Sequence, residues 1–328
     1  MFSAIKRTYP SAQVCVIGNS INKEVLGDHP DVDDYCVWNG AIREMAREIR
    51  RRGIEYLCIT GPSAGALAAA YLAGVPRIVV PVIENGLSPY ETRAYKLLRL
   101  LAVRIPHCMG HYAPREYLRL LEPLSIVTDD TTKRINYSDA ARKNAAEFLR
   151  AHHLIEKKFA VISPSAGNKI KNWPADRFAR VAEHLVSRDL PVVVIGGPRD
   201  KEEVAAMMRV VGTVGNIIDA SEKFSIDELK AFIAQALLFV SSDTGPIYIA
   251  EAFNIATVDI IGPIDENEQP PVGSRHKIVV APRQKPQLFV MNARFYDARE
   301  ARRQVEAVTV PMVIEAIDEL LRENRLTI

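Results

Sequence analysis

Short apolar runs alternate along the chain with longer stretches in which apolar residues recur every three or four positions. The short runs predict buried strands, and the longer period predicts amphipathic helices. Strands that alternate with helices in this way indicate a parallel sheet with helices on both faces. The predicted strands are 13–18, 34–38, 56–60 and 77–80 in the first half of the chain, and 159–163, 191–195, 236–240 and 258–261 in the second.

Several predicted helices have recognisable ends. Gly74 follows a helix of small residues and is its predicted C-cap. Ser225 and Glu228 have the spacing of a capping box, and Thr309 is predicted to cap the last helix. The other predicted helices are 2–9, 41–52, 138–153, 201–211 and a segment from 174, and 264–307 is predicted to be rich in loops.

The composition is that of a globular protein with two domains of ordinary size. The chain has 328 residues, 48% of them hydrophobic and 25% charged, and its net charge of +2 gives no general attraction to nucleic acid. A second alternating series starts after the helix 138–153, so we place a domain boundary near residue 155 and predict two α/β domains, 1–154 and 155–328. No apolar run reaches the roughly 18–20 residues needed to cross a bilayer, and the start of the chain is unlike a signal peptide.

Two features of the first half bear on location. The scattered cysteines Cys15, Cys36, Cys58 and Cys108 form no Cys-x-x-Cys pair, which indicates reduced thiols in the cytoplasm. The segment 95–104 is apolar with basic residues, Lys96, Arg99 and Arg104 among them. It is either a core helix with a solvated edge or a patch that rests on an anionic membrane surface.

Polar turns follow three predicted strands of the second half, at 163–167, 196–200 and 241–246. In an open α/β sheet, ligands bind beyond the carboxyl ends of the strands, so we expect these turns to meet at one crevice. Lys169 and Lys171 follow the first turn and precede a predicted helix, where an ammonium group can meet a phosphate. The sequence contains neither Gly-x-Gly-x-x-Gly nor a Walker lysine motif, which argues against nicotinamide and P-loop sites.

The turn 241–246 carries the strongest signal for a ligand. Gly245 lets the backbone approach a ligand closely, and Pro246 suits the first turn of a helix, whose free N–H groups form an anion site. Asp243 would repel an anion, so it either orients the loop or accepts hydrogen bonds from ligand hydroxyls. A plain helix cap after a strand remains the alternative interpretation.

These segments together resemble glycosyltransferase family 9, the ADP-heptose:lipopolysaccharide heptosyltransferases and their relatives. The resemblance is carried by 164–167, 171–174, 177–179, 196–200 and 242–250, and more weakly by 72–78 and 111–121. It implies an α/β fold of the GT-B type, two Rossmann-like domains facing each other across a cleft. The domain 1–154 would bind the acceptor and 155–328 the nucleotide-sugar donor, with the last helix able to pack back on the first domain.

The resemblance also implies roles for individual residues. Lys171 would pair with the donor pyrophosphate, Asp200 would face the ribose, Phe224 would line the base pocket, and His111 is a weaker candidate for the acceptor site. The implied donor-binding set is Ser165, Ala166, Gly167, Lys171, Asp200, Phe224, Asp243, Thr244, Gly245 and Tyr248. The implied reaction is inverting transfer of a sugar, most simply heptose from ADP-heptose, without a metal or cofactor. The acceptor would be lipopolysaccharide, lipid A-core or another amphiphilic envelope glycan, met in the cytoplasm at the inner membrane.

Two positions depart from the family pattern. The family's first strand and the Gly-Asp loop with its proposed general base have no counterpart in this chain, so no catalytic residue can be named. Since exposed sheet edges are unfavourable, we expect a missed upstream start rather than a lost base. Tyr248 stands where the family commonly has His, and it can donate a hydrogen bond but carries no positive charge near neutral pH. A catalytically silent nucleotide-sugar-binding protein with a GT-B shell is therefore the alternative.

Overall fold

The computed structural model describes residues 1–324 and 326, and these form two compact units. The first unit contains Met1–Thr132, Asn267–Gln269 and Leu288–Phe295, and the second contains Lys133–Glu266, Pro270–Gln287 and the chain from Tyr296 onward. Residues 133–154, which the sequence analysis assigned to the first domain, thus fall in the second unit. The reason is that α7 (Asp139–Ala151) packs its buried face, which includes Ala145 and Leu149, on α10 (Ile226–Ile233) of that unit.

The first unit contains two parallel sheets, with strand orders β1-β2 and β3-β4-β5. A 3₁₀ turn, Arg99–Leu101, precedes β5, and another, Arg119–Leu124, follows the last helix. The elements are α1 (Phe2–Thr8), β1 (Cys15–Gly18), α2 (Ser20–Leu26), β2 (Asp34–Val37), α3 (Ile42–Arg51), β3 (Tyr56–Cys58), α4 (Ala64–Ala73), β4 (Arg77–Ile83), α5 (Arg93–Leu98), β5 (Val103–His107) and α6 (Ala113–Leu118).

The second unit is built on one six-stranded parallel sheet with the order β11-β10-β9-β6-β7-β8. A 3₁₀ turn, Lys169–Lys171, lies between β6 and α8. Its elements after α7 are β6 (Ala160–Ser163), α8 (Ala175–Val186), β7 (Val192–Val194), α9 (Lys201–Val211), β8 (Ile217–Asp219), α10, β9 (Leu238–Ser242), α11 (Gly245–Ala252), β10 (Ala256–Ile261), β11 (His276–Val280), α12 (Ala298–Ala307) and α13 (Val310–Glu323).

Helices cover both faces of the six-stranded sheet. Along β6, Ala160 and Ile162 pack into a core with α8, α9 and α13, whereas Val161 packs into a second core with α7, α10 and α11. This alternation is the period of two expected for a strand buried on both faces. The predicted doubly covered parallel sheet is therefore confirmed for this unit, and α13 packs on α8, β10 and β11 within it.

The sheets of the two units differ in continuity. In the first unit β1-β2 and β3-β4-β5 are separate parallel sheets, whereas in the second unit β6 lies between β9 and β7 and all six strands form one sheet. Residues of β1 and β3 are only half-buried, whereas those of β6 and β9 are fully buried. The strands β1 and β3 of the first unit are thus less enclosed than the central strands of the second.

Local signals predicted the ends of several helices correctly. Gly74 ends α4 in the left-handed conformation with φ of 77°, Ser225 and Glu228 form both halves of a capping box on α10, and Thr309 caps α13. One prediction was wrong: the segment 95–104 is not one helix, because α5 ends at Leu98 and Val103 already begins β5. The segment 264–307 is rich in loops, as predicted, and it also contains β11 and α12.

Candidate functional site

Three polar turns meet at the carboxyl ends of β6, β7 and β9, which are adjacent parallel strands of the second unit. The turn after β6 is joined to the turn after β7 by a hydrogen bond from Ser165 Oγ to Asp200 Oδ1 of 2.6 Å. The segment after β6 also reaches the turn after β9, because Lys171 Nζ lies 2.7 Å from Asp243 Oδ2. The expected convergence of the three turns on one site is confirmed.

Asp200 is the centre of the first cluster in this site. Its carboxylate accepts hydrogen bonds from Ser165 Oγ, from Lys169 Nζ at 2.9 Å and from the Gly197 N–H at 2.9 Å. Burial by itself raises the pKa of Asp200, but these hydrogen bonds and the Lys169 charge outweigh it and hold the pKa below its usual value. Lys169 also pairs with Glu203 at 3.0 Å, so this lysine fastens the turn after β6 to α9.

Asp243 is the centre of the second cluster. Only 4% of Asp243 is exposed, its Oδ2 pairs with Lys171, and its Oδ1 accepts the hydroxyl hydrogen of Tyr248. Tyr248 comes from the first turns of α11, so one carboxylate connects that helix to the 3₁₀ turn containing Lys171. Asp243 therefore orients the loop, which is one of the two roles that its sequence position allowed.

The N-terminus of α11 is open. Thr244 is the N-cap residue, but its side chain makes no capping hydrogen bond, and Pro246 occupies the first turn. A Cβ placed on Gly245 would meet no atom within 4 Å. Backbone N–H groups at such a helix start, together with the helix dipole, favour binding of an anion. The Lys171 ammonium is paired with Asp243, the residue that precedes the N-cap Thr244.

The loop between β6 and α8 is held by buried contacts rather than by its own secondary structure. The Ala166 N–H donates to Asn172 Oδ1 at 2.8 Å, and Asn172 Nδ2 donates to Glu203 Oε1 at 2.9 Å. Trp173 is 1% exposed, and its Nε1 donates to the Val308 carbonyl at 2.8 Å. The exposed Gly167 at the tip of the loop faces open space, so a ligand can approach the backbone there.

Phe224 lies apart from these contacts. Its ring stacks on Phe232 with centroids 4.6 Å apart and meets Phe148 edge-on at 5.0 Å. It belongs to the margin of the core formed with α7 and α10. Its role in a base pocket remains a prediction, whereas its contacts show an aromatic cluster that supports α10.

The sequence analysis named Lys169 as a candidate phosphate contact, and the structure pairs it with Asp200 and Glu203. The sequence analysis missed three other residues: Asn172 and Glu203, which link the turns as described, and Asp259 of β10, which is 1% exposed. The only sequence signal for Asp259 was a carboxylate inside the apolar run 258–261. Both of its carboxylate oxygens are buried without a hydrogen-bond partner, as is Oγ of Ser241.

In the first unit, His111 lies beside Cys108 and Glu116, and their potential ligand atoms are within 4.8 Å of one another. Glu116 already accepts a hydrogen bond from the Cys108 N–H at 2.9 Å and one from Arg119 at 3.3 Å. His111 is exposed, and its Nδ1 is 3.4 Å from Glu116 Oε1. These contacts explain why the three side chains lie together: they stabilise the turn that connects β5 to α6.

An exposed apolar patch covers α5 and the 3₁₀ turn that follows it. Leu97, Leu100 and Leu101 are 69%, 59% and 79% exposed, and Lys96 and Arg104 beside them are also exposed. Arg99 is instead tied to Glu91 by an ion pair. In the part of the chain that the structure describes, no helix combines the length and the apolar character needed to cross a membrane.

Comparison with known proteins identifies the class to which this site and fold belong. The sequence model of glycosyltransferase family 9 (heptosyltransferase) matches residues 90–297. Lipopolysaccharide heptosyltransferase 3 from Escherichia coli is 28% identical over 275 residues, which cover 81% of this chain and 79% of that protein. A shorter match, 30% identical over 110 residues, covers 33% of this chain and 34% of lipooligosaccharide heptosyltransferase 2 from Campylobacter jejuni.

Solved structures show the same fold at low sequence identity. A glycosyltransferase family 9 protein from Veillonella parvula aligns with a TM-score of 0.79 at 20% identity, over 98% of this chain and 92% of that one. E. coli ADP-heptose lipopolysaccharide heptosyltransferase II aligns with a TM-score of 0.73 at 15% identity, over 99% and 94%. The fold is thus the α/β fold of GT-B glycosyltransferases.

The protein is a glycosyltransferase. The chain belongs to glycosyltransferase family 9, the heptosyltransferase family.

Proposed function

We propose that the protein transfers a heptose from an ADP-heptose donor to a lipopolysaccharide core or a related envelope glycan, with inversion at the anomeric carbon and without a metal. The observation that carries this proposal is the position of the Lys171 ammonium beside the uncapped N-terminus of α11. The E. coli heptosyltransferase solved with ADP-2-deoxy-2-fluoro heptose has the same fold, which makes ADP-heptose the first donor to test.

The chemistry requires a stabilised leaving group. As the bond from the anomeric carbon to the diphosphate breaks, the sugar becomes oxocarbenium-like and negative charge grows on the diphosphate oxygens. A lysine ammonium and the dipole of α11 stabilise that charge where it develops. Attack by the acceptor hydroxyl from the opposite face of the sugar inverts the configuration, and we assign no residue of this chain as the base that takes the hydroxyl proton.

Donor binding requires Lys171 to change partner. In the structure its ammonium is neutralised by Asp243 at 2.7 Å, and an incoming diphosphate competes for the same ammonium. Tyr248 still donates to Asp243 when Lys171 turns away. Tyrosine at this position therefore supports the loop carboxylate and leaves the cationic contact to Lys171.

The acceptor side belongs to the first unit in this proposal. An amphiphilic acceptor would be met at the cytoplasmic face of the inner membrane. The exposed leucines of α5 and the basic residues Lys96 and Arg104 form an apolar surface with a cationic margin, which suits peripheral contact with anionic lipid. The contact would be interfacial and reversible.

Binding of ADP and UDP, measured by calorimetry, tests the donor site. Lys171→Ala should weaken binding of the preferred nucleotide by about 1.5–3 kcal/mol, the contribution of a charge-assisted hydrogen bond. Lys171→Arg keeps the charge and should retain most of the affinity. The matched control is Lys158→Ala, since Lys158 is exposed and precedes β6, at the opposite end of the strand from the site.

The outcomes separate the candidate functions. Binding of ADP that is lost in Lys171→Ala and kept in Lys158→Ala supports the donor site, and transfer to a lipopolysaccharide core acceptor then establishes the enzyme. Donor binding without transfer would favour the catalytically silent binding protein. Turnover of the donor with no acceptor present would favour a hydrolase or an epimerase, and failure of both nucleotides to bind would refute the proposal.

A further inference from the structure

Asp259 is the least explained polar residue of the second unit. It lies in β10, a strand in which every residue is buried, and among the described residues neither of its carboxylate oxygens has a hydrogen-bond partner. Its register partner on β9 is Ser241, whose buried Oγ also lacks a partner. An ionised carboxylate in such a place, with no hydrogen bond, would cost far more free energy than a domain can supply.

The charges around Asp259 do not balance if every group is ionised. Asp243, which follows β9, and Glu251 of α11 are both nearby carboxylates, and Lys171 is the nearby cation. Glu251 is neutralised by Lys133 at 2.8 Å, and Asp243 by Lys171 at 2.7 Å. Among the described groups that act on Asp259, these two ion pairs leave no unpaired cation.

The neighbouring strand β11 carries one lysine, Lys277, but it is the register partner of Val258 rather than of Asp259, and it pairs with Glu319 and Glu323 of α13. The ring of His276 is hydrogen-bonded to the hydroxyl of Thr257 at 2.8 Å. Thr257 lies two positions before Asp259 and therefore on the same face of β10. Burial and the nearby cations Lys133 and Arg275 lower the pKa of His276 to about 4, so this imidazole is neutral at physiological pH. Burial and then the charge of Asp243 raise the pKa of Asp259 well above its usual value, and Lys171 only partly opposes this.

We propose that Asp259 is a neutral carboxylic acid, and that its retained proton keeps Lys171 available to the donor diphosphate. With Asp259 protonated, the single ammonium of Lys171 has one buried carboxylate to neutralise, Asp243. With Asp259 ionised, the same ammonium would face two, and moving it to a ligand would leave two adjacent buried negative charges. Asp259 is thus a positioning residue that acts through Asp243 and Lys171. The identity of the ligand as a donor diphosphate rests on the proposed function.

The protonation state is tested without any ligand, by urea unfolding of the wild type and Asp259→Asn at pH 5, 6 and 7. If the folded protein retains the proton, the folded state binds more protons than the unfolded state, whose Asp has a pKa of about 3.9. Wild-type stability then falls relative to the variant as pH rises, with the ratio of their unfolding constants changing by up to about tenfold per pH unit. Asp129→Asn, at an exposed position, is the control and should show no such slope.

The dependence of stability on pH is the readout, because the amide introduced by the substitution has the same hydrogen-bond requirements at every pH. Its effect on stability therefore cancels when two pH values are compared. A slope of zero or of the opposite sign would overturn the proposal, since an ionised, Lys171-paired Asp259 stabilises the fold as pH rises. Infrared spectroscopy gives a second readout: the wild type should show a carboxylic acid carbonyl band at neutral pH that Asp259→Asn lacks, and absence of that band in the wild type contradicts the proposal.

Measuring ADP binding to the wild type and to Asp259→Asn distinguishes a failure of this inference from a failure of the proposed function. If ADP binds, Asp259→Asn should bind it within about threefold of the wild type, because a neutral group replaces a neutral group. Affinity at least tenfold higher in the variant would mean that a negative charge had been removed beside the diphosphate, and that Asp259 had been ionised. If ADP binds neither protein, the proposed function fails, while the unfolding slopes still decide the protonation state.

Discussion

At the scale of single residues, the site is a set of carboxylates that hold lysines in place before any ligand arrives. Asp200 fixes Lys169 against the turn after β7, and Asp243 fixes Lys171 beside α11. The two carboxylates differ in what they do: Asp200 also binds a backbone N–H and a serine hydroxyl, so it braces the loops. Asp243 contacts only the side chains of Lys171 and Tyr248 among the described hydrogen bonds, and in the proposed function a ligand would replace the contact with Lys171.

Asp200→Asn should lower stability in a pH-dependent way. The pKa of Asp200 in the fold lies below its unfolded value, so its contribution is present above pH of about 4 and is lost as pH falls through the folded pKa. We expect a loss of about 1–3 kcal/mol in the free energy of unfolding at pH 7 and a smaller difference near pH 3. Urea unfolding at both values checks this, with Asp129→Asn as the exposed control; a difference that grows toward low pH would contradict it.

At the scale of elements, helix ends were readable from local sequence because their signals act within a few residues. Gly74 is the clearest example, since its φ of 77° is one that a side chain rarely adopts. The segment 95–104 shows where prediction of secondary structure from neighbouring residues fails. Its apolar residues fit a helix, but Val103–His107 pairs with β4 across a long-range contact, and that pairing overrides helical propensity.

Gly74→Ala should destabilise the protein by about 1 kcal/mol, because alanine resists the left-handed conformation that ends α4. Gly61→Ala is the matched control: an added Cβ meets no atom within 4 Å at either position, but Gly61 has no positive φ. The control should stay within about 0.5 kcal/mol of the wild type. Thermal unfolding measures both, and equal losses would show that backbone conformation is not the cause.

At the scale of the whole molecule, both units are built on parallel sheets but differ in the continuity of the sheet and in their surface. The second unit has a continuous sheet and the cluster of lysines and carboxylates at its carboxyl edge. The first unit has a divided sheet and the exposed patch of Leu97, Leu100 and Leu101. In the proposed function, the second unit would therefore bind the donor, and the first unit would contact the amphiphilic acceptor.

The membrane contact is tested by sedimentation with vesicles of phosphatidylglycerol and phosphatidylcholine. Lys96→Glu with Arg104→Glu should weaken binding at least about tenfold, since each basic residue near an anionic surface contributes roughly 1 kcal/mol. Arg99 is left unchanged because its partner Glu91 would repel a new carboxylate. Val127→Ser, an exposed apolar residue elsewhere in the first unit, is the control, and unchanged sedimentation of the double variant would refute the contact.

The sequence by itself determined what depends on short-range patterns and on ordered motifs. Apolar periodicity predicted most strands and helices, and the motif around Asp243, with Lys171 at its expected distance along the chain, led to the family. These features are local, so neighbouring residues suffice to read them.

Tertiary structure alone decided which distant residues meet. The ion pair of Lys171 with Asp243 joins positions 72 residues apart, and residues 133–154 join the second unit through packing on α10. Asp259 is the clearest example of a residue whose surroundings depend on tertiary structure. Its side chain was visible in the sequence, but only the parallel pairing of β10 with β9 places it beside Ser241 and behind Asp243. Burial and missing partners, which depend on every surrounding strand and helix, then determine its charge.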